Sequence, residues 1–320
     1  MSAPDTLTRW LLPAAAYTDA AWYEREQRDL FERTWNLVAY VADLADGAPV
    51  VGTVGRERVV VRRGGGGAIE AFRHAGRPRL AGLAEPGEHD LPCAVGVWAG
   101  MVFVHLDPAT AEPFQGWLGD FPTPAWVGEF PWDDLVEIGR RWIPLACNWK
   151  FYVENHVDIY HLWFLHAETL GMFDHTGLTW LSSGRHWSCA EQLRAGSERA
   201  RPTLPPIAPL AADEARTLRA NLLWPNVPIT TSATMVNTYQ VVPTGPTTCA
   251  LDLRMRAMPG GVLDDDLLAQ VSRILVGEDG VACEQLQRNV ASPWFRVGPL
   301  ARRHERPITD FHRHVLEALA

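Results

Sequence analysis

Near the middle of the chain stands the stretch Asn148-Trp149-Lys150-Phe151-Tyr152-Val153-Glu154-Asn155-His156-Val157-Asp158-Ile159-Tyr160-His161-Leu162-Trp163-Phe164-Leu165-His166. It places one carboxylate, Asp158, and two imidazoles, His161 and His166, among aromatic and aliphatic side chains. Asp158 and His161 are three residues apart, so on a helix they share one face. His166 follows His161 by five residues, roughly 140° further round a regular helix. Both imidazoles can therefore bind one metal ion only if the helix loosens or ends between them, for example at a π-bulge.

The residues around the two histidines favour a metal site. Neutral imidazoles bind iron, copper, zinc and nickel, and a neighbouring carboxylate fixes the tautomer of one of them. Histidines on an aromatic helix are more often simply packed and hydrogen-bonded, so their spacing alone does not decide. However, the whole stretch resembles a known signature, which consists of Asn148-Trp149-Lys150, then Glu154-Asn155, then Asp-x-x-His-x-x-x-x-His. It is that of the catalytic domain in the large (alpha) subunit of the Rieske non-heme iron oxygenases.

The resemblance implies an α+β fold and a mononuclear Fe(II) site. A small antiparallel β (Rieske-like) domain would precede a catalytic domain that packs helices on a curved antiparallel sheet, in a helix-grip-like arrangement. His161 and His166 would bind the iron. The third ligand would be Asp279, because residues 278–287 match the family's Glu-Asp-x-x-x-Cys-Glu-x-x-Gln segment. Without the histidine motif, Asp279 would instead be interpreted as a helix N-cap. Asp158 would have a catalytic role, connecting the iron to the cluster of an adjacent subunit.

A substrate pocket beside the iron is expected from the same resemblance. Trp224-Pro225-Asn226 is similar to the family's (Phe/Trp)-Pro-Asn strand, and an apolar wall would exclude water and orient an organic molecule. The residues predicted to contact substrate are Asn155, Trp163, Phe164, Trp224 and Asn226. The C-terminal half resembles more closely the branch that acts on quaternary ammonium compounds such as choline or betaine, and the tryptophans of this chain would form a cage for such cations. The residues do not identify the substrate.

The chain divides into three predicted segments. Residues 1–36 would form an N-terminal helical segment, with Asp19 as an N-cap. Residues 37–110 contain short strands at close intervals, which predict the small β domain. Residues 111–320 would be the iron-binding catalytic domain, with a strand over 136–145 and an antiparallel hairpin over 235–256.

The β domain departs from the family at its cluster site. A Rieske [2Fe–2S] cluster needs two cysteines on one iron and two histidines on the other. The first family loop, Cys-x-His-x-Gly, corresponds to Phe72-Arg73-His74-Ala75-Gly76, in which phenylalanine replaces the cysteine. The second loop, Cys-Pro-x-His-Gly-Trp, is either replaced by the short linker 84–90 or aligned with Cys93, without its histidine. At most two of four ligands survive, so we predict that no [2Fe–2S] cluster forms and that Cys93 is a core residue.

This loss leaves several interpretations of function open. The family uses O₂ and a small organic substrate, and electrons reach the iron from a reductase through the cluster of the neighbouring subunit in a head-to-tail trimer. Here the electrons would come from a partner, either a ferredoxin with its reductase or a Rieske-bearing paralogue, or else from the substrate itself. The chain would assemble as a homo- or hetero-trimer or hexamer. An oxygenase supplied by a partner and an oxygenase supplied by its substrate are two interpretations, and a third is a non-catalytic accessory subunit. A metal-assisted hydrolase is the least favoured, since the sequence offers no evident general base.

Composition excludes several other classes. The net charge of −9, from 29 basic and 38 acidic residues, argues against a partner such as nucleic acid or an anionic membrane. No apolar run approaches the roughly 20 residues of a membrane span. The five cysteines include no C-x-x-C pair, which favours a reducing compartment. We therefore predict a cytoplasmic location.

Overall fold

The computed structural model describes residues 11–74, 90–121, 130–197, 204–207, 214–301 and 304–320. Its α-helices are α1 (Ala15–Thr18), α2 (Ala20–Arg25), α3 (Phe114–Leu118), α4 (Trp149–Val157), α5 (Asp265–Ser272), α6 (Val281–Val290) and α7 (Arg306–Ala318). Its strands are β1 (Asn36–Tyr40), β2 (Val50–Val54), β3 (Glu57–Arg63), β4 (Ile69–His74), β5 (Asp90–Trp98), β6 (Met101–His105), β7 (Val136–Leu145), β8 (Thr179–Ser183), β9 (His186–Gln192), β10 (Thr217–Leu223), β11 (Val227–Thr231), β12 (Val236–Gly245) and β13 (Thr248–Ala257).

The contacts divide the chain into two compact units. One is Glu24–Gly119, and the other joins the described residues up to Tyr23 to Asp120–Ala318. The segment predicted over 1–36 is thus divided between them. The reason is that Tyr17 packs on α4: its ring stacks on Phe151 at 4.3 Å between centroids, and its hydroxyl donates to Glu154 Oε1 at 2.7 Å. Asp19 accepts a hydrogen bond from the backbone of Ala21 at 2.6 Å, which confirms its capping role.

The smaller unit is an antiparallel sheet in the order β1-β6-β5-β4-β3-β2. Val59 and Val61 of β3 and Val102 and Val104 of β6 are fully buried at its centre. Cys93 on β5 belongs to this core and pairs with Ala71 of β4, so its assignment as a core residue is confirmed.

The residues on which the cluster prediction depends are only partly described. Phe72, which replaces the first cysteine, is buried on β4 and pairs with Pro92 of β5. Ala75, Gly76 and residues 84–89 of the proposed linker lie outside the described residues. The absence of a cluster therefore stays a prediction.

The larger unit is built on a second antiparallel sheet, in the order β7-β13-β12-β11-β10-β9-β8. The strand predicted over 136–145 is β7, and the hairpin predicted over 235–256 is β12 with β13. Successive side chains on a strand point to opposite faces. One face therefore presents alternate residues of β9, β10 and β12, and these line a cavity shared with the helices. The α+β fold class is confirmed. None of the described helices is both long enough and apolar enough to cross a membrane.

Candidate metal centre

The helix that supplies the metal site, α4, is anchored at its start by the Asn-Trp-Lys motif. The Asn148 side chain caps the helix by accepting from Lys150 N at 3.0 Å, and its amide donates to Pro246 O at 2.7 Å. Trp149 is fully buried with its ring edge against Phe311, 5.8 Å between centroids. The motif therefore fixes α4 to the sheet and to α7, and the first site residues follow from that position.

The helix ends before the two histidines, as one metal ion requires. Asp158 has extended backbone angles at the C-terminus of α4, φ −69° and ψ 126°. Its carboxylate accepts from the backbone N–H of Tyr160 at 2.7 Å and of His161 at 3.1 Å, which starts a 3₁₀ turn over Tyr160–Trp163. The prediction placed the break between His161 and His166, whereas α4 already ends at Val157, before both histidines. Asp158, the C-cap residue, sets this position. The same carboxylate lies 3.4 Å from His161 Nδ1.

Asp279 comes from a π-helical segment. Helix α5 begins at the N-cap Asp264 and continues without interruption through the π-helix Arg273–Gly280 into α6. Asp279 lies within this continuous helix, so its interpretation as an N-cap is wrong. The wider π turn is a feature that recurs at functional sites. Here it brings a buried carboxylate, 7% exposed, to the two histidines.

The three predicted ligands meet at one point. His161, His166 and Asp279 each offer a ligand atom, and these atoms lie within 4.8 Å of one another. Asp279 Oδ1 is 2.9 Å from His166 Nε2 and 3.8 Å from His161 Nε2. Asn155, one turn before Asp158, donates its amide to Asp279 Oδ1 at 2.8 Å. Two imidazole nitrogens and one carboxylate oxygen are the donor set of a non-heme iron(II) centre with open positions.

A second carboxylate orients one of the histidines. Glu278 Oε2 accepts from His166 Nδ1 at 2.7 Å and from the Thr169 hydroxyl at 2.6 Å, and Arg273 Nε lies 3.2 Å from Glu278 Oε1. This hydrogen bond fixes the His166 tautomer, with Nε2 free to bind a metal. Sequence reasoning did not single out Glu278, although it precedes Asp279 directly.

The electrostatics of the centre suit a bound cation. Burial would raise the pKa of Asp279, but hydrogen bonds and charges from His166, His161 and Asn155 outweigh it and hold that pKa below its usual value. Burial would lower the pKa of His166, but Asp279 and Glu278 raise it overall. The raised pKa of His166 thus reflects the two carboxylates beside it, Asp279 and Glu278, whose charge a bound metal cation would neutralise.

A cavity of about 230 Å³ adjoins the three ligands. His156 lies on its wall: Nε2 donates to Asn221 O at 2.9 Å, so Nδ1 accepts from the Tyr239 hydroxyl at 2.7 Å. Burial lowers the pKa of His156 to about 4, so its imidazole is neutral at neutral pH. The sequence did not indicate these contacts of His156, because Tyr239 and Asn221 lie on strands more distant along the chain.

Of the predicted substrate contacts, only Asn155 lines this cavity. Phe164 is 71% exposed, because the chain leaves the helix before it. Trp163 packs its ring on His175 and His304 at 5.8 and 5.1 Å between centroids. Asn226 is buried and donates its amide to Val241 O at 2.8 Å.

Trp224 is a packing residue between the sheet and α7. It is 2% exposed and its ring contacts Phe311 and His314, each 5.7 Å between centroids. The apolar wall expected from Trp163, Phe164 and Trp224 is instead formed by other residues, among them Trp187 of β9 and Val271 of α5.

Trp224→Ala is therefore expected to lower stability without changing the metal site. Removing a buried tryptophan costs about 3–5 kcal/mol of the free energy of unfolding. Denaturant unfolding of the variant would measure this loss. At denaturant concentrations below the unfolding transition, its iron content would stay at the wild-type value. Wild-type stability combined with weakened ligand binding would place Trp224 in the pocket after all.

Two solved oxygenase structures have a similar fold. A quaternary ammonium Rieske monooxygenase is similar at a TM-score of 0.77 and 18% identity, over 100% of both chains. Naphthalene 1,2-dioxygenase from Rhodococcus sp. is similar at a TM-score of 0.69 and 15% identity, over 98% of this chain and 95% of that chain. At these identities the likeness defines the fold: a Rieske-oxygenase architecture with a buried His-His-Asp centre.

Sequence comparison then gives the family. Residues 132–320 match the ring hydroxylating alpha subunit (catalytic domain) family. The chloroplastic choline monooxygenase of Beta vulgaris is 24% identical over 353 residues, 96% of this chain and 76% of that protein. The glycine betaine monooxygenase oxygenase subunit of Chromohalobacter salexigens is 27% identical over 199 residues, 50% of this chain and 44% of that protein. The chain belongs to the ring hydroxylating alpha subunit family and is an oxygenase of the non-heme iron type, which confirms the resemblance.

Proposed function

We propose that this protein is a mononuclear non-heme Fe(II) oxygenase that hydroxylates, dihydroxylates or oxidatively demethylates a small organic substrate without a Rieske cluster of its own. The observation that carries the proposal is the convergence of His161, His166 and Asp279 within 4.8 Å at the wall of the cavity. The donor set fits ferrous iron, and a bound iron would supply the activation of O₂.

The residues around the centre hold and orient it. Glu278 and Asn155 fix the ligands His166 and Asp279 by hydrogen bonds of 2.7 and 2.8 Å. The neutral His156 holds the Tyr239 hydroxyl in place on the cavity wall. The largely apolar cavity excludes bulk water and places the carbon atoms of the substrate beside the metal centre.

The substrate we favour is a small ammonium compound. Relatives in the same family are named choline, glycine betaine and carnitine monooxygenases. The cavity, at about 230 Å³, suits molecules of that size, and aromatic rings on its wall attract a cation by their π faces. Trp187 and Tyr239 are such rings.

The electrons would come from outside this chain. Phe72 replaces one cluster cysteine, and the second ligand loop has no counterpart in the sequence. Asp158, with its side chain 16% exposed and its carboxylate against His161, supports a partner that carries the cluster: a Rieske-bearing paralogue in a mixed trimer or hexamer, or a ferredoxin with its reductase. The alternatives are electrons from the substrate, or an accessory subunit without its own activity; the complete ligand set disfavours the last. Cysteine usage and net charge support a cytoplasmic location.

The test is to reconstitute the purified chain with ferrous iron under anaerobic conditions. We expect about one iron per chain, no acid-labile sulfide, and no electron paramagnetic resonance signal of a reduced diiron cluster after dithionite. Oxygen uptake with substrate alone, then with an added ferredoxin system, separates the two electron sources. A reduced diiron signal would show that the chain carries its own cluster, and failure to bind iron would overturn the proposal itself.

A further inference from the structure

A buried carboxylate lies on the cavity wall away from the metal ligands. Glu191 is on β9, on the same face as Trp187 and Cys189, which also line the cavity. Its side chain is 5% exposed. Oε2 accepts from His175 Nδ1 at 2.6 Å, and Oε1 has no hydrogen-bond partner among the described residues. Glu191 lines the cavity, so Oε1 is the carboxylate oxygen available to a ligand there.

His175 holds this carboxylate in one orientation. It begins a 3₁₀ turn that is capped by Asp174, and its side chain is 3% exposed. Since Nδ1 donates to Glu191, Nε2 is the second nitrogen, and it is buried without a partner among the described residues. The hydrogen bond from Nδ1 holds Oε2 in place and so fixes the direction in which Oε1 points.

The other charged side chains on the cavity wall are already engaged. Asp279 belongs to the metal centre, and Asp158 accepts two backbone N–H groups beside His161. Arg216 directs its guanidinium to the carbonyl oxygens of Leu193 and Arg194 at 3.2 and 3.1 Å. Glu191 is thus the carboxylate on the cavity wall that has an oxygen available to a ligand. Burying this charge beside an apolar space is unfavourable unless a cation occupies that space.

We infer that Glu191 is a specificity-determining residue that selects a positively charged organic substrate, and that His175 is its positioning residue. The inference rests on the proposed function and adds the residue that recognises the positive charge of the substrate. A cation placed between Oε1 and the rings of Trp187 and Tyr239 would be attracted by both. A neutral molecule of the same shape would gain neither attraction.

The experiment compares choline with its neutral isostere, 3,3-dimethyl-1-butanol, by calorimetric binding to the anaerobic Fe(II) protein. We expect wild type to bind choline at least about tenfold more tightly than the isostere. Glu191→Gln keeps an acceptor for His175 but removes the charge, so the preference is expected to fall below about twofold through weaker choline binding. His175→Phe frees the carboxylate and is expected to reduce the preference less than Glu191→Gln does.

Asp252→Asn is the matched control. Asp252 lies on β13 and is paired with Arg140 at 2.9 Å, away from the cavity, so its variant is expected to retain the wild-type preference. If wild type binds neither probe, or binds both equally, the inference is wrong. It is also wrong if Glu191→Gln retains the preference. Iron content of the same samples tests the metal centre separately: normal iron with no charge preference in wild type rejects the role of Glu191 and the ammonium substrate but not the iron centre.

Discussion

His161→Ala is expected to abolish stable iron binding. His161, His166 and Asp279 supply the three protein ligands, and no other described group of three histidine, cysteine or acidic side chains is close enough to hold an ion. Loss of an outer hydrogen-bond partner typically weakens metal binding about 10–100-fold, and loss of a ligand should exceed that. Iron analysis after gel filtration would measure the change: about one iron per chain in wild type and almost none in the variant.

The same variant should lose the stabilisation that iron gives. A ligand that binds only the folded state at 100 times its dissociation constant adds about 2.7 kcal/mol to the free energy of unfolding. Ferrous iron should therefore raise the melting temperature of wild type and leave that of His161→Ala unchanged. His314→Gln is the control, since His314 lies in α7, packs on Trp224 and is not a ligand. Full iron occupancy in His161→Ala would mean that the centre lies elsewhere.

The ligand set was predictable because each ligand lies in a short motif. Asp158, His161 and His166 are close in sequence, and Asp279 lies in a segment that the family resemblance identifies. Helical periodicity alone argued against one shared metal ion, because five residues on a regular helix separate two imidazoles by roughly 140°. The structure resolves this conflict at Asp158, whose carboxylate ends α4 and starts the turn that carries His161. Capping by a side chain is local, and so the sequence could indicate it.

The cavity wall was much less predictable. Glu191, His156 and Tyr239 come together only because β9, α4 and β12 pack around one space, and no spacing within one segment records that. Trp224 was expected in the wall from its resemblance to the family's (Phe/Trp)-Pro-Asn strand, and Phe164 as a large apolar side chain near the ligands. Large apolar residues are also the main packing residues of any core, and Trp224 is used in this way against Phe311. Residue type thus predicts burial, whereas the tertiary packing decides which buried residues face the ligand.

Asp158→Asn is expected to separate the two electron sources. Asparagine retains an oxygen that can accept from Tyr160 N, now 2.7 Å from Asp158 Oδ1, so the turn and iron binding should be largely retained. The variant removes the negative charge 3.4 Å from His161 Nδ1, on a side chain that is 16% exposed and so within reach of a docked partner. Oxygen uptake driven by a ferredoxin system should then fall about 10–100-fold.

Oxygen uptake supported by substrate alone should change much less, because that route does not pass through the surface beside Asp158. Asp310→Asn on α7 is the matched control, since Asp310 pairs with Arg306 and Arg313 at 3.8 and 3.7 Å and does not line the cavity beside the metal ligands. Equal losses in both assays would mean that Asp158 acts only by orienting His161. An unchanged ferredoxin-driven rate would remove the main support for a cluster-bearing partner and leave the substrate as the source of electrons.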